Sequence, residues 1–312
     1  MQLRFLPPGI SRFCAVLALA TLAQGGMASA VQARTLETAY GEVDVDGQPA
    51  RVVTLYEGAL DTALTAGITP LGAVATRGGD GVAAYLGDAA EGIAIVGTAR
   101  ETNMEAVVAL RPDLILAPPR LPQAQYALLS RLAPTIVPTT QGFEPDAWKD
   151  EARLFARALG RETPVDSALD EIDNRSHSLA KRQPQPAPEV TLARWMPNGP
   201  MVMSTRLFAT GLLAAAGFTV EDGGVVKDDR PHSDPLSLEN LARIDNDWLF
   251  LATLNAEGEA ALEKARQSPA FARLDVVQHD RVVPVDGQLW TSASGPMAAS
   301  RVLDDIEAAL AP

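Results

Sequence analysis

The sequence predicts an α/β fold in which two Rossmann-like lobes are joined by a single long helix. Three observations support this prediction. Short apolar runs alternate with segments of helical periodicity in both halves of the chain, which indicates parallel strands with helices on the sheet faces. A charged helical segment with a proline-rich exit separates the halves. One motif occurs once in each half, and this repetition favours two related lobes.

Length and composition exclude several classes of protein. The 312 residues are 47% hydrophobic and 21% charged, which is typical of a folded globular chain. The 26 Lys and Arg residues against 39 Asp and Glu give a net charge of −13, which argues against a nucleic-acid partner. One cysteine and three scattered histidines indicate neither a disulfide framework nor a resident metal site, and no cofactor is expected.

Residues 1–30 have the features of a secretory signal peptide. Two arginines and no acidic residue accompany the apolar run 13–23, and Ala28 and Ala30 are small residues suited to cleavage. The run is too short for a stable membrane anchor. Cys14 does not follow a Leu-small-small triplet, so we expect no lipid attachment. Cleavage after Ala30 and export to the periplasm are predicted, and a buried N-terminal helix is the alternative.

The N-terminal α/β lobe is predicted to span residues 31–162. Its start is typical of a hairpin, because Asp46-Gly47 lies between two strand-like runs. Helices and buried strands alternate from Gly58 onward, and Gly67 and Gly160 stand where helices end. The predicted helices cover residues 59–66, 104–110, 123–132 and 146–159, and the predicted strands cover residues 35–40, 48–55, 71–75, 93–96, 114–117 and 135–137.

A charged connecting helix is predicted at residues 163–186. Thr163-Pro164 supplies an N-cap with proline at the first helical position, and alternating Gln and Pro after Arg182 form a stiff exit. A solvated surface helix is the alternative to a strut between lobes. The C-terminal α/β lobe, residues 187–312, has predicted strands at 190–193, 202–203, 248–251 and 282–285, and predicted helices at 207–216, 238–244, 260–264 and 297–310.

Glu105 and Glu239 begin the two copies of the internal repeat. In each copy the Glu precedes a short amphipathic helix, a turn and a buried strand, and an Asp follows eight residues later, at Asp113 and Asp247. An acidic residue in a first helical turn is stabilised by the helix dipole and needs no function. The repetition nevertheless marks one equivalent acidic position in each lobe.

An ordered set of short motifs covers nearly the whole mature chain. The motifs are residues 53–55, 67–74, 96–97, 103–105, 110–116, 132–134, 237–239 and 281–284. In this order they resemble the periplasmic substrate-binding proteins of iron–siderophore and vitamin B12 ABC importers, in particular the ferric hydroxamate and ferric citrate branch. The resemblance implies a shallow cleft between the lobes and little hinge closure.

The resemblance also implies the partners. A monomeric, non-enzymatic protein would capture a ferric siderophore and deliver it to an ABC permease at the inner membrane. An acidic residue on each lobe would dock on permease arginines, and Glu105 and Glu239 occupy the matching positions. Iron would be present only as part of the bound chelate.

Loops at the carboxyl ends of the predicted strands carry the candidate ligand contacts, because ligands of α/β lobes bind at those ends. Guanidinium groups suit the negative oxygens of a ferric chelate, and aromatic rings suit its apolar body. Simple solubility is the alternative for each arginine, and core packing is the alternative for each tryptophan. The candidates are Arg77, Arg100, Arg120, Arg194 and Arg230, together with Tyr56, Trp195 and Trp290.

Three of these candidates are also placed by the resemblance. Arg100 fills a segment in which the hydroxamate-binding branch has an arginine, although one position later, with Ala99 at the expected place. Trp290 falls where that branch has an aromatic contact. Arg120 stands near another aromatic contact and indicates a more anionic ligand.

Two other classes of function remain open. The same fold could carry haem or cobalamin, and haem would favour an axial ligand such as Tyr56, Tyr85 or His232. An exported interaction module would bind no small ligand. An enzyme is not expected, because the sequence has no Gly-x-Ser-x-Gly, P-loop or His-Glu-x-x-His motif.

Overall fold

The structure, a computed structural model, describes residues 33–140, 143–227 and 229–311, together with residues 1 and 2. Apart from those first two residues, the predicted signal peptide at 1–30 lies outside the described residues. None of the helices in the described ranges combines the length and the hydropathy that a bilayer span requires.

A β-hairpin opens the folded part of the chain. Strand β1 (Arg34–Thr38) pairs antiparallel with β2 (Gly41–Val45), and the chain reverses at Ala39-Tyr40. The Thr38 hydroxyl stabilises this turn, since it donates to the Gly41 carbonyl (2.7 Å). The prediction that Asp46-Gly47 forms the hairpin turn is therefore wrong: these residues lie after β2, on the way to the first sheet.

The first lobe contains a five-stranded, wholly parallel sheet. Its strands are β3 (Val52–Thr54), β4 (Gly72–Ala75), β5 (Ala94–Thr98), β6 (Leu114–Leu116) and β7 (Thr135–Ile136), in the order β5-β4-β3-β6-β7. The chain starts in the middle and winds outward in both directions, so loops after β3 and β6 diverge and open a crevice.

Helices cover both faces of this sheet. They are α1 (Glu57–Thr65), α2 (Met104–Leu110), α3 (Gln123–Leu129) and α4 (Ala147–Leu159), with a 3-10 segment at Ala84–Ala90. Successive residues of one strand enter different cores: Val52 packs in one hydrophobic cluster and Val53 in another. A strand buried on both faces is a continuous apolar run, which is why these strands are recognisable in the sequence.

Helix α5 (Glu162–Ala180) leads from the first lobe to the second. It begins earlier than predicted, with Arg161 as N-cap, so Thr163 lies in the first turn and is not the cap. Pro164 is the third helical residue, where its missing N–H has no intrahelical partner. The helix ends before the proline-rich exit, and one face, including Leu169 and Leu179, is buried.

The second lobe is also built on a mostly parallel sheet. Strands β8 (Glu189–Met196), β9 (Gly199–Val202), β10 (Thr219–Val220), β11 (Trp248–Thr253) and β12 (Val282–Asp286) have the order β10-β8-β11-β12, with β9 antiparallel to β8. The helices are α6 (Phe208–Ala215), α7 (Ala256–Arg266), α8 (Pro269–Ala272), α9 (Asp275–Gln278), α10 (Gly287–Thr291) and α11 (Pro296–Ala309), with a 3-10 segment at Leu238–Ile244. The predicted α/β class is confirmed.

The aspartates of the internal repeat have the same structural role in both lobes. Asp113 accepts hydrogen bonds from the backbone N–H groups of Ala50 and Arg51 (both 2.9 Å), just before β3. Asp247 accepts one from the N–H of Glu189 (2.9 Å), at the start of β8. Each carboxylate therefore anchors the first strand of its sheet, and this half of the repeat needs no ligand.

Asp61 links the first α-helix of the described chain to the last one. Although it lies on α1 of the first lobe, it accepts hydrogen bonds from the N–H groups of Met297 and Ala298 (both 2.8 Å), in the first turn of α11. The Tyr85 hydroxyl donates to the same carboxylate (2.9 Å). Gly295 precedes the helix with φ of +117°, and a Cβ there would lie 2.6 Å from the Asp61 side chain. Asp61 thus caps α11 from a distant part of the sequence.

Replacing Asp61 by Ala should destabilise the protein. The change leaves two buried N–H groups of α11 without an acceptor, and we expect a loss of about 2–4 kcal/mol in the free energy of unfolding. Urea denaturation followed by circular dichroism measures this loss. The matched control is Asp88→Ala, at an exposed carboxylate of the same lobe, with an expected change below about 0.5 kcal/mol. Equal stability of the two variants would contradict the capping role.

Candidate ligand-binding site

A cavity of about 360 Å³ lies between the two lobes. Its first-lobe side is formed largely by residues that follow β3, β4 and β5, at the carboxyl edge of the sheet where α/β lobes bind ligands. The first lobe contributes Tyr56, Glu57, Arg77, Ala99 and Phe143, and the second contributes Arg194, Met203, Leu207, Phe208, Ala209, Pro231, His232 and residues 290–294. Four predicted contact residues, Tyr56, Arg77, Arg194 and Trp290, are therefore brought together.

Arg194 and Trp195 are neighbours on β8 and have different surroundings. Arg194 lines the cavity, and its Nη1 donates to the Thr291 hydroxyl (3.2 Å). Trp195 is 2% exposed and packs edge-to-face against Phe271, with ring centroids 5.9 Å apart. Successive side chains of a strand point to opposite faces, so only one of the pair can reach the cavity. The expectation that Trp195 is a cleft residue is corrected: it belongs to the core of the second lobe.

Two positive charges occupy the cavity. Arg77 lines its mouth, and Arg194 is buried, with 3% of its surface exposed. Burial and, secondarily, the charge of Arg77 lower the pKa of Arg194 to about 10. The Arg194 guanidinium is therefore still charged at neutral pH.

Arg100 lies outside the cavity lining. It stands with Ala99 at the tip of a tight turn that a hydrogen bond from the Thr98 N–H to the Glu101 carbonyl (2.8 Å) closes. Ala99, and not Arg100, lines the cavity. Gly97, with φ of +134°, permits the turn, since a Cβ there would lie 2.3 Å from the Glu101 carbonyl oxygen.

Arg120 and Arg230 also lie outside the lining, each next to residues that belong to it. The Arg120 guanidinium carbon lies 5.2 Å from the ring centroid of Phe143, which lines the cavity. Arg230 forms an exposed ion pair with Asp234, with 2.9 Å between Nη1 and Oδ1, whereas the lining residue His232 lies two positions further on. The structure thus places both arginines outside the cavity itself.

Trp290 is a lining residue and a core residue at once. Only 2% of its surface is exposed, and its ring stacks on Phe250 with centroids 4.8 Å apart. The indole N–H donates to Asp305 Oδ2 (2.7 Å), which holds the ring in one orientation. The core-packing alternative is therefore correct for most of the side chain, although part of it borders the cavity.

A cluster of polar side chains surrounds Tyr56 at the cavity: Ser294, Thr140 and Glu151. The Tyr56 and Ser294 hydroxyls lie 3.0 Å apart, which links the two lobes. Burial raises the pKa of Glu151 to about 7, although hydrogen bonds from the Tyr56 and Thr140 hydroxyls limit the rise. Burial likewise raises the pKa of Tyr56, which stays protonated and able to donate.

Among the described residues, Glu57 is the one carboxyl group that lines the cavity. It accepts hydrogen bonds from the Thr76 hydroxyl and from the Arg77 backbone N–H. Burial is the largest influence on Glu57 and raises its pKa, while those two bonds and the Arg77 charge oppose the rise. Glu57 is thereby held on the Arg77 side of the cavity.

Sequence reasoning missed several lining residues. Glu57 directly follows Tyr56, which was predicted as a ligand contact. Its position after a strand end could also have indicated a ligand-binding residue. Phe143, Met203 and Phe208 carry no local signal, because each is an ordinary apolar residue that only the packing of distant segments brings to the cavity.

The residues named for haem ligation have other partners. Tyr85 donates to Asp61, and Tyr56 contacts Ser294. His232 lines the cavity, with Nδ1 2.8 Å from the Ser233 carbonyl oxygen. In the described part of the chain, no group of three or more His, Cys, Asp or Glu side chains is arranged to hold a metal ion.

Glu105 and Glu239 lie on the surface of their lobes. Glu105 is exposed in the first turn of α2, which Asn103 caps by accepting from the Ala106 N–H (3.1 Å). Glu239 is exposed in the 3-10 segment, which replaces the α-helix predicted there. Within the described ranges, neither carboxylate takes part in a salt bridge.

The contribution of Glu151 to stability should decrease as pH rises from about 4 to 7, because this buried group binds its proton more tightly in the native state than in the unfolded chain. Glu151→Gln should reduce the difference in unfolding free energy between pH 5 and pH 8 by about 1–3 kcal/mol. Urea denaturation at several pH values measures this difference. Glu144→Gln, at an exposed site nearby, is the control. An unchanged pH dependence in Glu151→Gln would contradict the prediction.

Comparisons with known proteins agree on one family. The family model described as periplasmic binding protein matches residues 65–289. The probable siderophore-binding lipoprotein YfiY of Bacillus subtilis is 31% identical over 290 residues, which cover 89% of this chain and 88% of that protein. The Fe(3+)-citrate-binding protein YfmC of the same organism is 26% identical, over 90% of this chain and 87% of the relative.

Solved structures show the same architecture. SirA of Staphylococcus aureus, complexed with staphyloferrin B, superposes with a TM-score of 0.76 at 25% identity and covers 89% of this chain and 98% of its own. A family match over most of the chain and a relative above 30% identity lead to one conclusion: the chain belongs to the periplasmic binding protein family.

Proposed function

We propose that this protein is the substrate-binding component of an ABC importer, which captures a ferric siderophore and delivers it to the inner-membrane permease. The observation that carries the proposal is a single cavity in which both lobes place cationic and aromatic side chains, notably Arg77, Arg194 and Trp290. Relatives named for siderophore and ferric citrate binding support it. The mature chain would begin at residue 31 and act in the periplasm.

Binding in this cavity requires no covalent chemistry. Guanidinium groups bind chelate oxygens, and rings such as Phe143 and Trp290 cover the apolar body. Iron arrives inside its chelate as cargo, so the protein needs no resident metal. The contacts of Asp61 with α11 and of Tyr56 with Ser294 join the lobes beside the cavity and favour a small change on binding.

Delivery would use the two exposed glutamates. Glu105 and Glu239 stand on different lobes, and each is free of salt bridges among the described residues, so both are available to cationic groups of the permease. The net charge of −13 favours approach to a basic surface at long range.

Tryptophan fluorescence tests capture directly. We expect saturable quenching by one ferric chelate, since Trp290 borders the cavity, and no comparable quenching by the metal-free chelator. The panel contains a ferric hydroxamate, ferric citrate, a ferric catecholate, haem and cobalamin. Saturation by haem or cobalamin alone would change the cargo and keep the transport role. If no compound of the panel quenches the fluorescence and calorimetry detects no binding, the result would contradict ligand capture and favour an interaction module.

Docking is tested by removing both glutamates. Glu105→Ala combined with Glu239→Ala should leave ligand affinity unchanged and reduce cellular uptake of the chelate by about tenfold or more, since buried charge pairs at interfaces are costly to truncate. Labelled-iron uptake and calorimetry measure the two quantities. The matched control is Glu42→Ala with Glu257→Ala, at one exposed acidic residue in each half of the chain. Normal uptake by the Glu105/Glu239 double variant would contradict the role of these two residues in docking.

A further inference from the structure

Arg194 is a buried cation without an acidic partner among the described residues. Only 3% of its surface is exposed, and its one recorded hydrogen bond in those ranges joins Nη1 to the Thr291 hydroxyl (3.2 Å). The Nε–H group is buried and has no acceptor within residues 33–140, 143–227 and 229–311. In the described part of the chain, no carboxylate forms a salt bridge with this side chain.

Such an arrangement is unfavourable in the empty protein. A guanidinium group cannot lose its proton at physiological pH. Its burial therefore carries the full free-energy cost of desolvating a charge. An unpaired buried donor adds to that cost. A second cation, Arg77, is near enough to disfavour the charge further.

The other titratable groups of the cavity do not neutralise Arg194. Glu57 is bound to the Thr76 hydroxyl and to the backbone of Arg77. Glu151 is buried on α4 and does not belong to the cavity lining. His232 contributes no negative charge. The cavity therefore holds an excess of positive charge centred on Arg194, and the missing counter-charge has to come from what binds there.

We infer that Arg194 selects the charge of the cargo: it favours ferric chelates that carry net negative charge on carboxylate or phenolate oxygens over neutral ferric chelates. This inference rests on the proposed function and names its substrate class. An anionic chelate would offer an acceptor oxygen to the part of the guanidinium group that borders the cavity, and carboxylate and phenolate oxygens suit such a charged donor. A neutral chelate would remove water from the cavity and leave Arg194 without a counter-charge.

Calorimetric titration with three ferric probes tests the inference. The probes are ferric citrate (carboxylate), a ferric tris-catecholate (phenolate) and ferrichrome (a neutral tris-hydroxamate). At low salt the wild-type protein should bind one of the anionic probes at least about 100-fold more tightly than ferrichrome. Raising the salt concentration should weaken anionic binding more than ferrichrome binding.

Variants assign this preference to Arg194. Arg194→Gln should weaken the preferred anionic probe by about 30-fold or more and change ferrichrome affinity by less than about threefold. Arg194→Lys should give an intermediate affinity, because it restores the charge without the planar fork. Arg131→Gln, at an exposed arginine of the first lobe outside the lining, is the matched control and should behave as wild type.

The outcomes separate the inference from the proposed function. Preference for citrate or for catecholate supports the inference and identifies the source of the charge. Ferrichrome affinity equal to that of the anionic probes, or equal weakening of all three in Arg194→Gln, would overturn it while capture stands. If none of the three probes binds the wild-type protein, capture of a ferric chelate itself fails, whatever the result with haem or cobalamin. Should Arg194→Gln not fold, the wild-type preference and the Arg194→Lys titration decide the matter.

Discussion

The capping of α11 by Asp61 is the interaction on which the site depends. This carboxylate lies on α1, the first helix of the first lobe, and satisfies N–H groups of the last helix, in the second. Burial raises the pKa of Asp61 to about 7, while its four hydrogen-bond donors oppose that rise. The residues just before α11, including Ser294, are thereby held against Tyr56. Tyr56 and Ser294 both line the cavity, so these contacts join its two sides.

The alternation of side chains along β8 determines which charged group faces the cavity. Arg194 reaches the cavity and Trp195 the core because neighbouring side chains of β8 point to opposite faces. The Glu57 carboxylate accepts a hydrogen bond from the Arg77 backbone N–H. Its negative charge is therefore not paired with the Arg194 guanidinium. A site with an uncompensated buried cation is poorly satisfied when empty, and this is a physical reason to bind an anion.

Local signals located most elements correctly and failed where tertiary contacts compete. Gly160 ends α4 in the left-handed conformation, as its sequence context predicts. Asp46-Gly47 is a strong hairpin dipeptide, yet the chain reverses at Ala39-Tyr40, where Thr38 stabilises the turn. Thr163 was predicted as the cap of α5, but the helix begins one residue before it. The helix error moves a boundary by one residue, whereas the hairpin error changes the pairing: β2, not the run at 48–55, pairs with β1. Both leave the α/β alternation intact.

The sequence by itself determined the α/β class and the repeated Glu–Asp motif of the two halves, because these depend on periodicity and repetition, and it predicts the ligand-binding loops from the strand ends. Only the tertiary structure decided which side chains share the cavity. Arg100, Arg120 and Arg230 lie outside it, whereas Phe143 and Ser294, which have no local signal, line it. The reason is that side-chain direction and contacts between segments more than 100 residues apart arise from packing, which no local pattern encodes.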